Sequence, residues 1–589
     1  MAGLRSQLAP VLDLALVHMT EFKPYNLATT SWSFARLQIH DQRMLQCLAS
    51  AVLQRLSECD TRRLSRIVWA FAKLSEHDWP LLDAISAMSV ARCTEFEGQD
   101  LAISAWSWAK LEVRNEQLLG AISASVMQTI GDLGPQNVAN LAWAFASLRF
   151  RDAPLLNAIA AAAMESLPEF ISQELANTAW AFAKLHFRHE PLRTAISTEA
   201  TLRMSAENYD DFDAMCFASI TWSFATLGCM DQPLLDAIAR SAERQIPQCR
   251  TQELSNMAWS LASLMICHQE PLLESISRAA LAKLTEFQLQ HLTNTAWAFA
   301  RLMFLDFPLL NAMSGQVQAR INFFDVQGLS NTVWAWAKVL IYDEPLCAAI
   351  SSAAIQKISE FTSQEMGNTS WAFARLSIKD EPLVEAIASA AVPRISAFNS
   401  QELSNTAFAF ATVIVVNEQL MEAIAGEATE KINAGVADNQ ALSNTAWAFA
   451  KCELLNVPLQ EAISAASIGK ISEFVPQGLS NLAWALARLV LSDPPLLAAI
   501  ADESMAKLHR LNAQDLSNTF WALAKLEMAH LPLLDAISHE SIQKIAEFNP
   551  QSISNSAWAL ATLLLDDEPL MAAFASAALH KIQNFGVQS

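Results

Sequence analysis

One phrase recurs along this 589-residue chain with an almost fixed period. It is clearest at Leu442 to Lys451, Leu-Ser-Asn-Thr-Ala-Trp-Ala-Phe-Ala-Lys, and variants of it surround fifteen aromatic anchors in all. The anchors are Trp32, Trp69, Trp106, Trp143, Trp180, Trp222, Trp259, Trp297, Trp334, Trp371, Phe408, Trp447, Trp484, Trp521 and Trp558. Eleven of the fourteen spacings are 37 residues, and the others are 38, 39 and 42. Such a period describes a small unit that buries its apolar side only by stacking on copies of itself. The core then runs along the stack, and function falls to a surface.

The unit reads as two helices. In the copy that opens at Phe361, Thr362 and Glu365 have the spacing of a capping box, repeated by Asn399 with Glu402 and by Asn512 with Asp515. Pro135 and Pro550 suit a first helical position. The first helix continues through Trp371 to about Leu376, and a second opens at Pro382 after a short polar stretch. Twelve units carry that proline. Acids precede it, as in Asp343-Glu344 and Asp567-Glu568, where a helix N-terminus favours negative charge. Apolar spacings of three and four rule against strands.

The expected fold is therefore all-α: a right-handed alpha-solenoid superhelix of about fifteen two-helix repeats. Within a single array 1–589, residues 1–24 form a partial leading repeat and 25–200 a first block. Residues 201–213 form an acidic insertion, 214–584 a second block, and 585–589 the opening of a truncated repeat.

Composition narrows the partners. Hydrophobic residues make up 52% of the chain, enough for a continuous core. The net charge of −21 disfavours a general nucleic-acid coat and favours basic or protein partners, but it leaves room for one basic strip. The nine cysteines follow no ligand spacing, so core thiols are expected, with no metal and no cofactor. No run of about 20 apolar residues is present for a membrane span. The start of the chain shows neither a signal peptide nor a transit segment, which leaves the cytoplasm open as a location. His186, His189, His268 and His291 form no shared constellation, and no phosphate loop or nucleophile elbow occurs, so no enzymatic activity is expected.

On a helical wheel the first helix divides into two stripes. One holds the apolar residue five before the anchor, the residue just before it, the aromatic two after it and the residue five after it. Met366, Ser370, Phe373 and Leu376 are one such set, and Leu442, Ala446, Phe449 and Cys452 another. This stripe is the expected core face.

The other stripe holds Gln seven before the anchor, Asn three before it, the anchor, and Lys or Arg four after it. Gln fills its place in twelve units and Asn in eleven. Gln364 with Asn368, Gln401 with Asn405 and Gln514 with Asn518 are the groove polar candidates. The cation appears in ten units, as Arg36, Lys73, Lys110, Lys184, Arg301, Lys338, Arg375, Lys451, Arg488 and Lys525. Stacking turns this stripe into a track with a rise of about 10 Å per repeat, the usual separation of packed helices. First helices commonly line the inside of such solenoids, so a concave surface is expected.

Each residue type has two readings. Asn either ties neighbouring repeats together or faces a ligand. Trp is either wedged between helices or open to stack on a base. Gln either supports a cap or lines the groove. The cation meets either anions or water. Anion contact would let a single-stranded backbone follow the track.

The phrases at Leu442 to Cys452, Leu175 to Leu185 and Leu292 to Leu302 resemble the repeats of the heptatricopeptide and octatricopeptide families. That resemblance implies an alpha-solenoid that binds single-stranded RNA in mitochondria or chloroplasts, in RNA processing, stability or translation. Many such proteins end in a nuclease-like RAP domain, and none is expected within these repeats. The ten cations are then the RNA-contact candidates. The alternative is a scaffold that engages basic proteins or a ribonucleoprotein complex without touching nucleic acid. Oligomeric state is not specified by these features.

Overall fold

The computed structural model describes residues 18–205, 212–266, 270–528 and 530–581. Most of the expected leading repeat, the middle of the acidic insertion (206–211), His268 and the expected truncated repeat at 585–589 lie outside the described residues. The described residues hold thirty α-helices, thirteen 3-10 turns and no strand. They fall into two compact units, residues 1–309 and 310–589. Each unit is a solenoid stack of the same two-helix repeat.

The repeat around Trp371 shows how the sequence produces this. Its first helix spans Ser363–Arg375 and its second Glu381–Ala391, followed by the 3-10 turn Val392–Ala397. The Thr362 backbone N–H donates to Glu365 Oε2 at 2.8 Å. Asn399 with Glu402 and Asn512 with Asp515 form the reciprocal box. Pro135 and Pro550 open their helices. In the second helix, one oxygen of Asp380 accepts from the backbone N–H of Leu383 at 3.1 Å. Asp343 and Asp567 cap their helices in the same way. His189 and His530 replace the carboxylate there, each accepting through Nδ1.

The first helix ends on a left-handed residue six after the anchor. In the Trp371 repeat this is Ser377, at φ 58°. The Ile378 N–H reaches back to the Phe373 carbonyl at 2.9 Å, which satisfies a carbonyl that the helix end would otherwise leave unpaired. The same position is left-handed in all fifteen repeats, and only Gly228 is a glycine.

The core stripe packs as its spacing predicts. Met366, Ser370 and Phe373 are buried, as are Leu442, Ala446 and Phe449, while Leu376 and Cys452 are half-buried. The residue two after the anchor is buried in every repeat, from Phe34 to Leu560. Ala372, Ala374 and Thr369 are fully buried beside it, and their small side chains let neighbouring first helices approach closely. First helices pack on one another far more intimately than second helices do. One face of each first helix stays outside this packing, and it carries the second stripe.

Candidate functional site

Every Gln seven before an anchor is exposed, including Gln364, Gln401 and Gln514. Every Asn three before an anchor is half-buried, including Asn368, Asn405 and Asn518. Nine of the ten cations four after the anchor are exposed, and Lys184 is half-buried. Helical spacing aligns these residues on one accessible face. The first unit carries Arg36, Lys73, Lys110, Lys184 and Arg301 on it, and the second carries Lys338, Arg375, Lys451, Arg488 and Lys525.

The cations differ in what holds them. Arg36 lies over its own anchor Trp32 at 5.5 Å, and Arg301 over Trp297 at 5.2 Å, both within cation–π range. Arg301 also donates Nε–H to the Ala262 carbonyl at 3.0 Å. Arg488 pairs with Glu453 of the preceding repeat. Among the described residues, Lys73, Lys110, Lys338, Arg375, Lys451 and Lys525 make no ion pair and no hydrogen bond. Their charge is met by solvent alone.

The anchor tryptophans take a middle course between wedge and open platform. None is buried, and the end copies Trp32 and Trp558 are the most open, at 44% and 43% exposure. Neighbouring rings lean on each other instead. Trp447 and Trp484 lie 6.1 Å apart, Trp484 and Trp521 6.5 Å, and Trp521 and Trp558 6.3 Å, with planes tilted by 31° to 38°. Trp106 pairs with Trp143 in the same way in the first unit. These are ordinary aromatic contact distances, and from Phe408 to Trp558 in the second unit each anchor ring meets the next. A base inserted between two rings would have to break a pair.

The Asn side chains do not tie the repeats together. Among the described residues, the side chains of Asn368, Asn405 and Asn518 make no hydrogen bond, and Asn555 accepts only from Gln551 of its own helix, at 2.9 Å. Their amides are available to a ligand or to water.

A second periodic row of cations ties the repeats instead, and the wheel of the first helix had no place for it. Fourteen residues before the anchor, at the end of the second helix, stand Arg55, Arg92, Lys283, Arg320, Lys357, Arg394, Lys470, Lys507 and Lys544, with Lys581 continuing the register. Lys507 donates to the carbonyls of Ser472 and Phe474 at 2.6 and 2.8 Å and pairs with Glu503 at 2.8 Å. All three of its N–H groups are thus used. Lys544 repeats this on His509, Leu511 and Glu540. Arg92, Lys283, Arg394, Lys470 and Lys581 likewise reach a loop carbonyl 33 to 36 residues earlier. Arg203 holds the equivalent place before the longest spacing and is almost fully buried, bonded to the Phe170 carbonyl and paired with Glu199. Aligning the chain on its period exposes this row from sequence.

A third row links caps. The second oxygen of Asp152 accepts from Ser123 of the preceding repeat at 2.6 Å, and Asp306 accepts from Ser277 at the same distance.

The chain matches the model of the RNA-editing substrate-binding complex 6 protein family over residues 84–344 and again over 320–585. The chain belongs to this family. The two stretches together cover most of the repeats of both units. No curated protein matches the chain. Solved structures similar to it include a homology model of the full-length AP-3 complex in an intermediate open conformation. That likeness has 13% identity and a TM-score of 0.28, covering 100% of this chain and 94% of that one. An engineered protein is 14% identical at TM-score 0.27, over 82% of this chain and 99% of its own. Importin beta is 10% identical at TM-score 0.26, over 100% and 96%. These three likenesses carry no further inference. The described cysteines are free, and burial pushes the Cys249 and Cys347 thiols up to about 11, far from a reactive thiolate. Among the described residues no group of His, Cys, Asp or Glu could hold a metal ion, and no helix is long and apolar enough to cross a membrane.

Proposed function

We propose that this chain binds single-stranded RNA along the Gln–Asn–Trp–Lys/Arg face of its first helices, as a non-catalytic member of an RNA-processing complex. The observation that carries the reading is the row of cations without internal partners. A fold that needed those charges for its own stability would hold them, as it holds the second-helix row. Phosphates spaced along a flexible strand suit exposed cations repeated along a solenoid, and the Asn and Gln amides beside them offer both donors and acceptors to base edges. The name of the matched family, with its editing substrate and its complex, fits this reading. So does the resemblance to the heptatricopeptide and octatricopeptide repeats, which implies an organelle, mitochondrion or chloroplast, as the place of work.

The test is fluorescence anisotropy of the full chain with labelled oligo(U) RNA over a range of potassium chloride. Affinity should fall linearly with log salt concentration, with a slope near −0.7 per phosphate neutralised on a single strand. Binding that is absent, or indifferent to salt, refutes the proposal.

A second reading has its own support. Acids such as Glu344, Glu381 and Glu568 stand exposed at the starts of second helices, and the net charge is −21. A scaffold that engages a basic protein through that edge would keep its partners after nuclease treatment. Loss of all partners on nuclease treatment counts against it.

A further inference from the structure

The left-handed joint of one repeat lies beside the track cation of the next, because Arg488 reaches Glu453 across that step. The residue six after an anchor therefore helps decide whether the following cation is free. In the second unit the joints read Leu340, Ser377, Ile414, Glu453, Val490, Glu527 and Leu564. The positions they face in the next repeat read Arg375, Thr412, Lys451, Arg488, Lys525 and Thr562. Leu340, Ile414 and Val490 have no charge to offer, and the cations that follow them, Arg375, Lys451 and Lys525, are unpaired. Ser377 and Glu527 are followed by threonine, so those repeats carry no track cation. Glu453 is followed by the one cation of the set that has a carboxylate on it.

We infer that Glu453 is a built-in counter-ion that silences Arg488, so that from Arg375 onward this unit presents its anion-binding cations on alternate repeats. Arg375, Lys451 and Lys525 are the active set. Counted by anchors, each is two repeats from the next. The inference rests on the RNA reading above and sharpens it, since it states which cations touch phosphate. An RNA strand bound to this stretch spans two repeats between charged contacts, with the aromatic anchor and Asn of the skipped repeat beneath it, Phe408 with Asn405 and then Trp484 with Asn481.

Glu453 and Arg488 are both exposed, so altering either leaves the core untouched. Glutamine is also tolerated in the joint, since Gln38 adopts it at φ 51°. The test compares the salt slope of oligo(U) binding in the full chain, in four single variants and in one double variant. Lys451→Gln and Lys525→Gln should each flatten the slope by about 0.7, one phosphate contact on a single strand. Arg488→Gln should leave it within error of the unaltered chain. Glu453→Gln should steepen it by about 0.7 and tighten binding several-fold, and adding Arg488→Gln should abolish that gain. If Arg488→Gln flattens the slope as Lys451→Gln does, or Glu453→Gln changes nothing, the counter-ion role is wrong while the RNA reading stands. If the unaltered chain does not bind oligo(U), or Lys451→Gln and Lys525→Gln have no effect, both fall.

Discussion

Two rows of cations run through these repeats at one period and do opposite things. The row at the end of the second helix, represented by Lys507 and Lys544, ends on loop carbonyls of the preceding repeat and on a carboxylate of its own helix. The row four residues after the anchor, represented by Lys451 and Lys525, ends in solvent. A loop between packed helices leaves backbone carbonyls that must find donors, and a long cationic side chain from the next repeat supplies them. Periodic charge by itself therefore says nothing about a ligand. The absence of an internal partner, at the track cations other than Arg36, Arg301 and Arg488, is what separates the two rows.

The aromatic rows divide in the same way, and they give the largest expected contrast. Phe373 is buried, so Phe373→Ala should lower stability by about 3–5 kcal/mol. Trp371 is half-buried and leans on Trp334, so Trp371→Ala should cost less, about 1–2 kcal/mol. Urea unfolding followed by circular dichroism measures both, and equal losses would erase the distinction between inner and outer rows. Next in size is the combined change of Lys338, Arg375, Lys451 and Lys525 to Glu. It should weaken oligo(U) binding by more than about 100-fold and remove about 3 from the salt slope, while the melting temperature stays nearly constant. A large fall in melting temperature would mean that this row also serves the fold.

Smaller again is the matched pair of single changes. Lys507→Met strands the Phe474 and Ser472 carbonyls and Glu503, and should cost about 1–3 kcal/mol. Lys525→Met should stay within about 0.5 kcal/mol in the same urea titration. The smallest effect concerns pH. Burial pushes the Asp515 carboxyl up, against the Ser480 hydroxyl, which holds it down. A carboxyl raised in the folded state takes up its proton there more readily than in the unfolded chain. Its ionisation thus costs stability above the folded pKa, and the cost vanishes below the unfolded one. The unaltered chain should lose stability relative to Asp515→Asn as pH rises through the carboxylate range. A difference between the two that is flat across that range contradicts the assignment.

Much of this was legible in the sequence because repetition averages out local ambiguity. One copy of Thr362–Ala397 is a weak helix pair on its own, but fifteen copies in register fix the helices, the caps and the buried aromatic two after the anchor. The placing of Gln364, Asn368 and Arg375 on one face followed from helical geometry alone. The state of Trp371 did not, because wheel position gives direction and not depth. A ring at the edge of a packed face becomes half-buried only through its neighbours in adjacent repeats. The second-helix cations escaped notice for a related reason. Their partners are backbone carbonyls, which carry no residue identity for a pattern to match. Glu453 against Arg488 is a side-chain pair 35 residues apart, visible only once the repeats are stacked.

The left-handed joint has a consequence for how such an array could change. A residue at φ near +55° ordinarily favours glycine, yet this chain holds Glu, Arg, His, Met, Leu and even the β-branched Ile414 and Val490 there, the last two at 73% and 68% exposure. The Schellman bonds around each joint use only backbone atoms, so the side chain is free of folding duty. Each repeat thus offers an outward slot whose chemistry can be exchanged without redrawing the helix pair beneath it. Within each unit such slots, set one repeat apart beside the cation row, form a bank of independent dials on the surface of an otherwise uniform stack of repeats.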